Sequence, residues 1–241
     1  MKKFITTITM LLLTCASGMV GASEATVKSA LQKKYPQIPV ETVTKTPLTG
    51  IYEVYTNGQL IYTDEKADYL FINGSMVDVA KKINLTDERM NRLTAIKFDE
   101  LPLDMAFKRV KGNGERKVAV FSDPDCPYCK QVEGDLAKLD NVTIYMFLFP
   151  IDALHPQARD HAKRVWCSSD KVKAWDDLML RGVLPVAAPT CNNPVDKVVE
   201  LGNRYKVNGT PTIFFADGTR MAGAMPADKI EQRLVAARAA K

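Results

Sequence analysis

The apolar residues of this chain change period along its length, and the changes mark its elements. Residues 24–34, EATVKSALQKK, place apolar side chains at helical spacing and predict a short helix that stops before Pro36, since proline disfavours helix in the residue ahead of it. Two alternating runs, IYEVYT and QLIYTD, flank Asn57-Gly58; two more, DYLFI and SMVDV, flank Asn73-Gly74. Asn-Gly readily takes the positive φ values of a type I′ turn, so two hairpins are expected in a small meander. NLTDERMNRLTAIKFDEL then reads as one linker helix, capped by Thr86, with Asp87 and Glu88 at its positive end and Pro102 as its stop. Beyond a Gly-Asn-Gly turn, KVAVFS is a buried-strand pattern, CKQVEGDLAKL a helix and NVTIYMFLFP a second apolar strand. Strand, helix and strand at this spacing predict a βαβ unit with a parallel pair. Residues 155–205 read as mostly helical, TPTIFFADGTRMAG as a late strand and hairpin, and PADKIEQRLVAARAA as a closing helix.

This pattern divides the chain into a leader (1–22), a thin α+β module (23–84), a linker helix (85–101) and an α/β domain with a helical insertion (102–241). The leader pairs Lys2 and Lys3 with the apolar FITTITMLLL and ends in the small residues VGA, as a signal peptide cleaved near Ala22 does. Its apolar stretch is shorter than the roughly 20 residues that span a bilayer, and membrane insertion is not expected. The thin module buries a modest share of its surface and ends in an edge strand, so it is expected to dimerise.

Composition fits this outline. The chain has 241 residues, 46% hydrophobic and 25% charged, which argues against disorder. Loss of Lys2 and Lys3 lowers the formal charge from +5 to +3, and no basic run is interleaved with aromatics, so nucleic acid is excluded as the expected partner. Four cysteines remain after the leader: Cys126, Cys129, Cys167 and Cys191. An even number in an exported chain points to two bridges.

Cys126 falls where the strand yields to the helix. Unpaired N–H groups and the helix dipole favour an anion there, so its thiol pKa should drop, giving an exposed attacking thiolate. Cys129, one turn on and on the same face, is placed to resolve it by closing a strained small ring. Asp123 and Asp125 oppose the drop if they point at the sulfur, and Pro127 removes one N–H and tunes the redox poise. Two other readings stand beside this one: half of a zinc site completed by His155 and His161, or a structural disulfide. Cys167 and Cys191 are the better structural staple, closing a loop worth about 3–4 kcal/mol on the chain-entropy model, with two buried free thiols as the alternative. In VNGTPTIFF, a proline directly before a strand has two readings as well. A cis Thr210–Pro211 bond would free backbone groups for an extended substrate segment; an ordinary trans proline at an edge strand is the commoner form.

The stretches YTNGQLIYTDEKADYLFINGSMVDV, VAVFSDPDCPYC, AKRVWCSSDKVKAWDDLM, the later Cys191 and VNGTPTIFF together resemble the DsbC/DsbG family of periplasmic thiol:disulfide interchange proteins. The resemblance implies a homodimer joined by cystatin-like N-terminal modules, with a thioredoxin-like domain carrying the Cys126–Cys129 pair. It further implies a structural Cys167–Cys191 bridge, a cis Pro211 that with Thr210 holds substrate, and Tyr128 shaping the surface. It implies no cofactor and no metal, misfolded exported proteins as substrates, and a membrane reductase of the DsbD type as electron donor. Pro127 departs from the glycine typical of DsbC and matches the C-P-Y-C of DsbG and of glutaredoxins. Two activities therefore follow from the resemblance: isomerisation of wrong disulfides, or reduction of oxidised single cysteines with holdase chaperone action.

Overall fold

The structure, a computed structural model, describes residues 22–239; the expected signal peptide falls almost wholly outside them. The described residues divide into two compact units, one holding residues 22–56 and 61–72 and the other residues 57–60 and 73–239.

In the first unit, α1 (Glu24–Lys34) starts at Ser23, whose hydroxyl accepts from the Thr26 amide, and ends at Tyr35, one residue before Pro36. It buries Val27 and Leu31, four positions apart on one face, against Val43, Tyr52, Val54 and Ile61. Full burial of two such side chains stabilises by about 1.5–3 kcal/mol each. The strands beneath are β1 (Thr42–Lys45), β2 (Ile51–Thr56), β3 (Gln59–Asp64) and β4 (Leu70–Phe71), paired in the order β1-β2-β3-β4. β1 has no clear signature in the sequence. The β2–β3 turn has positive φ at both Asn57 (46°) and Gly58 (75°), as expected.

The second expected hairpin does not form. Asn73 has φ 59°, but Gly74 lacks the positive φ that type I′ requires of both central residues. β4 pairs back on β3, while β5 (Val77–Asp78) pairs with β6 (Ile83–Asn84). The linker helix is also shorter than expected. α2 covers only Leu85–Leu93, and its cap is Asn84, which accepts from the Asp87 amide. Thr86 instead accepts from the Met76 amide, tying the helix to β5. The helix ends because Thr94 turns its hydroxyl onto the Met90 carbonyl and Phe98 leaves the helical path to enter the core. Residues 98–100 and 103–105 are single 3₁₀ turns.

The rest of the second unit is an α/β sandwich. Its strands are β7 (Phe107–Lys111), β8 (Arg116–Ser122), β9 (Val142–Leu148), β10 (Thr212–Phe215) and β11 (Arg220–Ala222), in the order β11-β10-β8-β9-β7. β8 and β9 are parallel, joined through α3 (Pro127–Leu136) as the βαβ pattern requires; the other pairings are antiparallel. The inserted helices are α4 (Ala158–Cys167), α5 (Lys171–Arg181) and α6 (Val195–Arg204), and α7 (Ala227–Ala239) closes the chain. Alternation along β8 feeds two cores. Val118 and Val120 join α3, α5 and α7 on one face, and Ala119 and Phe121 join α6 on the other. The β10–β11 turn needs Gly218: at φ 85° a side chain is strained, and a Cβ would lie 1.9 Å from the Ile96 carbonyl oxygen. Among the described residues no helix is long and apolar enough to cross a membrane.

Candidate active site

β8, the central strand, ends at Ser122, and Cys126 is the residue that caps α3, with extended φ −73° and ψ 123°. Pro127 occupies the first helical position, where its missing N–H would lack a partner in any case and its fixed φ suits the helix. Tyr128 follows, 63% exposed, and Cys129 lies fully buried one turn in. The sulfur of Cys126 lies 3.5 Å from the Thr210 carbonyl oxygen, which can accept from it only while Cys126 is protonated, and that of Cys129 accepts from the Asp123 amide at 3.4 Å. Thr210–Pro211 is cis. The helix start thus meets the loop before β10, and five of the expected residues, Cys126, Pro127, Tyr128, Cys129 and Thr210, converge with Pro211 beside them.

One expectation needs correction here. Cys126 is only 4% exposed, not the open sulfur the sequence suggests, because the Thr210–Pro211 loop covers it. In that loop the Thr210 carbonyl oxygen lies 3.5 Å from the Cys126 sulfur, and the Pro211 carbonyl accepts from the Gly223 amide at 2.8 Å.

Acidity, rather than open area, distinguishes the two thiols. The Cys129 thiol donates to the Cys126 sulfur, outweighing the burial that opposes ionisation, and the Cys129 and Tyr128 amides and Thr210 add further bonds. Together these lower Cys126 from an ordinary 9.0 to about 5. Burial pushes the Cys129 thiol up, and so does its bond to Cys126. The two sulfurs share one proton, held by Cys129.

Asp123 and Asp125 do not turn on the sulfur. The buried Asp123 carboxylate accepts from the Asp125 amide at 2.8 Å and the Ile151 amide at 2.7 Å, and meets His155 Nδ1 at 3.0 Å. Asp125 meets His161 Nδ1 at 2.8 Å. The Asp123 bond raises the His155 pKa against the effect of burial, and the charges of Asp123, Cys126 and Asp125 add to the rise. His155 and His161 thus fasten the loop ahead of Cys126 to the segment after β9. Among the described residues no group of three or more His, Cys, Asp and Glu is placed to hold a metal ion.

Sequence reasoning missed these pairs and one more. Glu133 is fully buried on α3, where it accepts from Trp175 Nε1 at 2.8 Å and Arg109 at 3.0 Å; Arg109 also reaches Asp176 at 2.6 Å. Burial raises the Glu133 pKa, and Arg109 opposes the rise. The available signal was a lone acid on the apolar face Cys129, Val132, Leu136. Away from the site, Cys167 at the end of α4 and Cys191 before α6 form a disulfide across 24 positions.

Residues 103–238 match the family model of the thioredoxin-like domain, and residues 18–87 match that of the disulfide bond isomerase protein N-terminal domain. The chain is 43% identical over 208 residues to a probable thiol:disulfide interchange protein DsbC of Bordetella pertussis, covering 86% of this chain and 73% of that one. It is 27% identical over 227 residues to the thiol:disulfide interchange protein DsbC of Escherichia coli, covering 92% of each. A disulfide interchange protein of Neisseria gonorrhoeae, known from its crystal structure, shares 44% identity at a TM-score of 0.55, covering 57% of this chain and 99% of that one.

Proposed function

The chain belongs to the DsbC family of thiol:disulfide interchange proteins, and from that premise we propose that Cys126 attacks non-native disulfides of exported proteins while Cys129 resolves the resulting mixed disulfides. The enzyme is a disulfide isomerase and reductase. The observation that carries the site assignment is the acidic Cys126 thiol at the head of α3, in contact with a buried, proton-holding Cys129. A thiolate attacks at neutral pH where a thiol does not. Once the mixed disulfide exists, a substrate thiol displaces Cys126 and completes rearrangement, or Cys129 does so and releases the substrate reduced.

The remaining assignments follow this reading. Thr210 and Pro211 hold the substrate backbone beside the sulfur, Tyr128 shapes the approach, and Pro127 tunes the potential. Cys167–Cys191 is the structural bridge. The domain division is a leader at 1–22, a dimerisation module at 23–84, a linker at 85–101 of which only the first part is helical, and a catalytic domain at 102–241. The protein works in the periplasm as a homodimer, and a membrane reductase of the DsbD type keeps the pair reduced. Pro127 favours a second balance of activities, a DsbG-like reduction of oxidised single cysteines with holdase action. A sulfenylated peptide reduced faster than a scrambled protein is rearranged would select it.

Refolding of a scrambled multi-disulfide protein tests the main assignment. Cys126→Ser is expected to return the rate to that of the uncatalysed reaction, and Cys129→Ser to keep part of the shuffling while mixed disulfides accumulate. An unchanged rate with Cys126→Ser rejects it.

A further inference from the structure

β8 places one more chemical group at this site. Val118 and Val120 face the apolar cluster that contains Cys126 and Cys129, and Ala119 and Phe121 face the opposite one. The two-residue period of a strand turns the next side chain, Ser122, to the cysteine side. Its neighbour in register on β9, Leu148, belongs to that same cluster. Ser122 is fully buried and its carbonyl accepts from the Phe149 amide at 2.8 Å; among the described residues its hydroxyl completes no hydrogen bond of normal geometry, yet it stands close enough to the Cys129 sulfur to favour that thiol's ionisation. Buried hydroxyls are normally paired, because an unpaired one has given up water for nothing. The adjacent amide, that of Asp123, points at the Cys129 sulfur from 3.4 Å.

We propose that the Ser122 hydroxyl is a hydrogen-bond donor to Cys129 as that sulfur becomes a thiolate, and that it thereby sets how often a substrate leaves reduced rather than rearranged. The inference rests on the dithiol chemistry proposed above. In the resting pair the negative charge sits on Cys126 and Cys129 keeps its proton, so the hydroxyl meets no anion there. In the mixed disulfide Cys126 carries no charge and Cys129 loses its acceptor. Cys129 then gives its proton to water, and its thiolate attacks the Cys126 sulfur. The Cys126–Cys129 bond forms as the Cys126–substrate bond breaks, and the electron pair leaves on the substrate sulfur, which takes up a proton. The pair is oxidised by two electrons and the substrate reduced. An anion therefore develops on buried Cys129 only in this step, and the Ser122 hydroxyl and Asp123 amide, with Thr210, lower its cost.

The test follows one turnover of the reduced full-length protein with oxidised glutathione, quenched in acid and read by mass. Mixed-disulfide formation and its resolution are resolved as separate rates. Ser122→Ala is expected to lower the ratio of resolution to formation about tenfold, the scale of one hydrogen bond to a charged group. Ser122→Thr, which keeps the hydroxyl, should restore most of it. The pair Ser122→Thr and Ser122→Val repeats the comparison at constant shape, so a packing defect in Ser122→Ala does not obscure the result; Thr should resolve about fivefold faster or more. Equal ratios in Thr and Val, with wild type still forming and resolving the mixed disulfide, would overturn the role of Ser122 and leave the dithiol reading intact. A wild type that forms no mixed disulfide at Cys126 would instead overturn the dithiol reading itself.

Discussion

Three positions separate Cys126 from Cys129, and that spacing leaves one sulfur at the end of a helix and the other inside the core. The outer one receives amides and its partner's proton; the inner one meets apolar atoms. Alkylation of reduced Cys126 by a small reagent should therefore reach half its maximal rate near pH 5, matching a thiol lowered to about 5. A midpoint at the free-thiol value of about 8.5 would reject the assignment. Stability must follow. The folded pKa of Cys126 lies below its unfolded value, so between those two pH values the unfolded reduced chain binds more protons. Stability contributed by Cys126 is then present above about pH 8.5 and is lost as pH falls toward the folded value. His155 has the opposite sign, since its folded pKa is raised and its contribution fades as pH rises. The difference in denaturation midpoint between reduced wild type and Cys126→Ser isolates the thiol, and it should widen from acid to mildly basic pH.

At the scale of elements, α3 is held by a charge pair as well as by apolar packing. Glu133 on α3 binds Arg109 of β7 and Trp175 of α5, and Arg109 also binds Asp176 of α5. The partners are unequal: removing Arg109 leaves a fully buried carboxylate with only the indole N–H, whereas neutralising Glu133 leaves Arg109 its pair with Asp176. Arg109→Leu should cost about 3–5 kcal/mol in urea denaturation, and Glu133→Gln clearly less. Equal losses would show that the network is not organised in this way. The helix that presents Cys126 would loosen first.

In the first unit one apolar stretch stands out: Tyr69, Phe71 and Ile72 are each at least half exposed, within four consecutive positions. β4 is two residues long and is an edge of its sheet, where strand backbone can pair with another chain. A second copy of the chain is the proposed occupant. Phe71→Lys with Ile72→Lys should halve the mass seen by sedimentation velocity and depress isomerisation while leaving Cys126 alkylation unchanged. A wild type that sediments as a monomer at micromolar concentration would reject the dimer.

What the sequence alone determined was local. Asn57-Gly58 turns because both residues accept positive φ, α3 starts at Cys126 because Pro127 suits a first helical position, and alternation in VAVF already implies two cores. Each of these depends on residues within a few positions of one another. Tertiary structure decided the rest. Asn73-Gly74 carried the same turn signal, yet β5 joined β6 because Thr86 and Leu85 bind Met76. The linker helix stopped at Leu93 when Phe98 found a place in the core. Cys126 was buried by a loop 84 positions away, and Asp123 was turned from the sulfur toward His155, 32 positions on. Burial and electrostatic pairing are set by whichever surfaces meet in space, and periodicity along a chain does not record which distant surfaces those are.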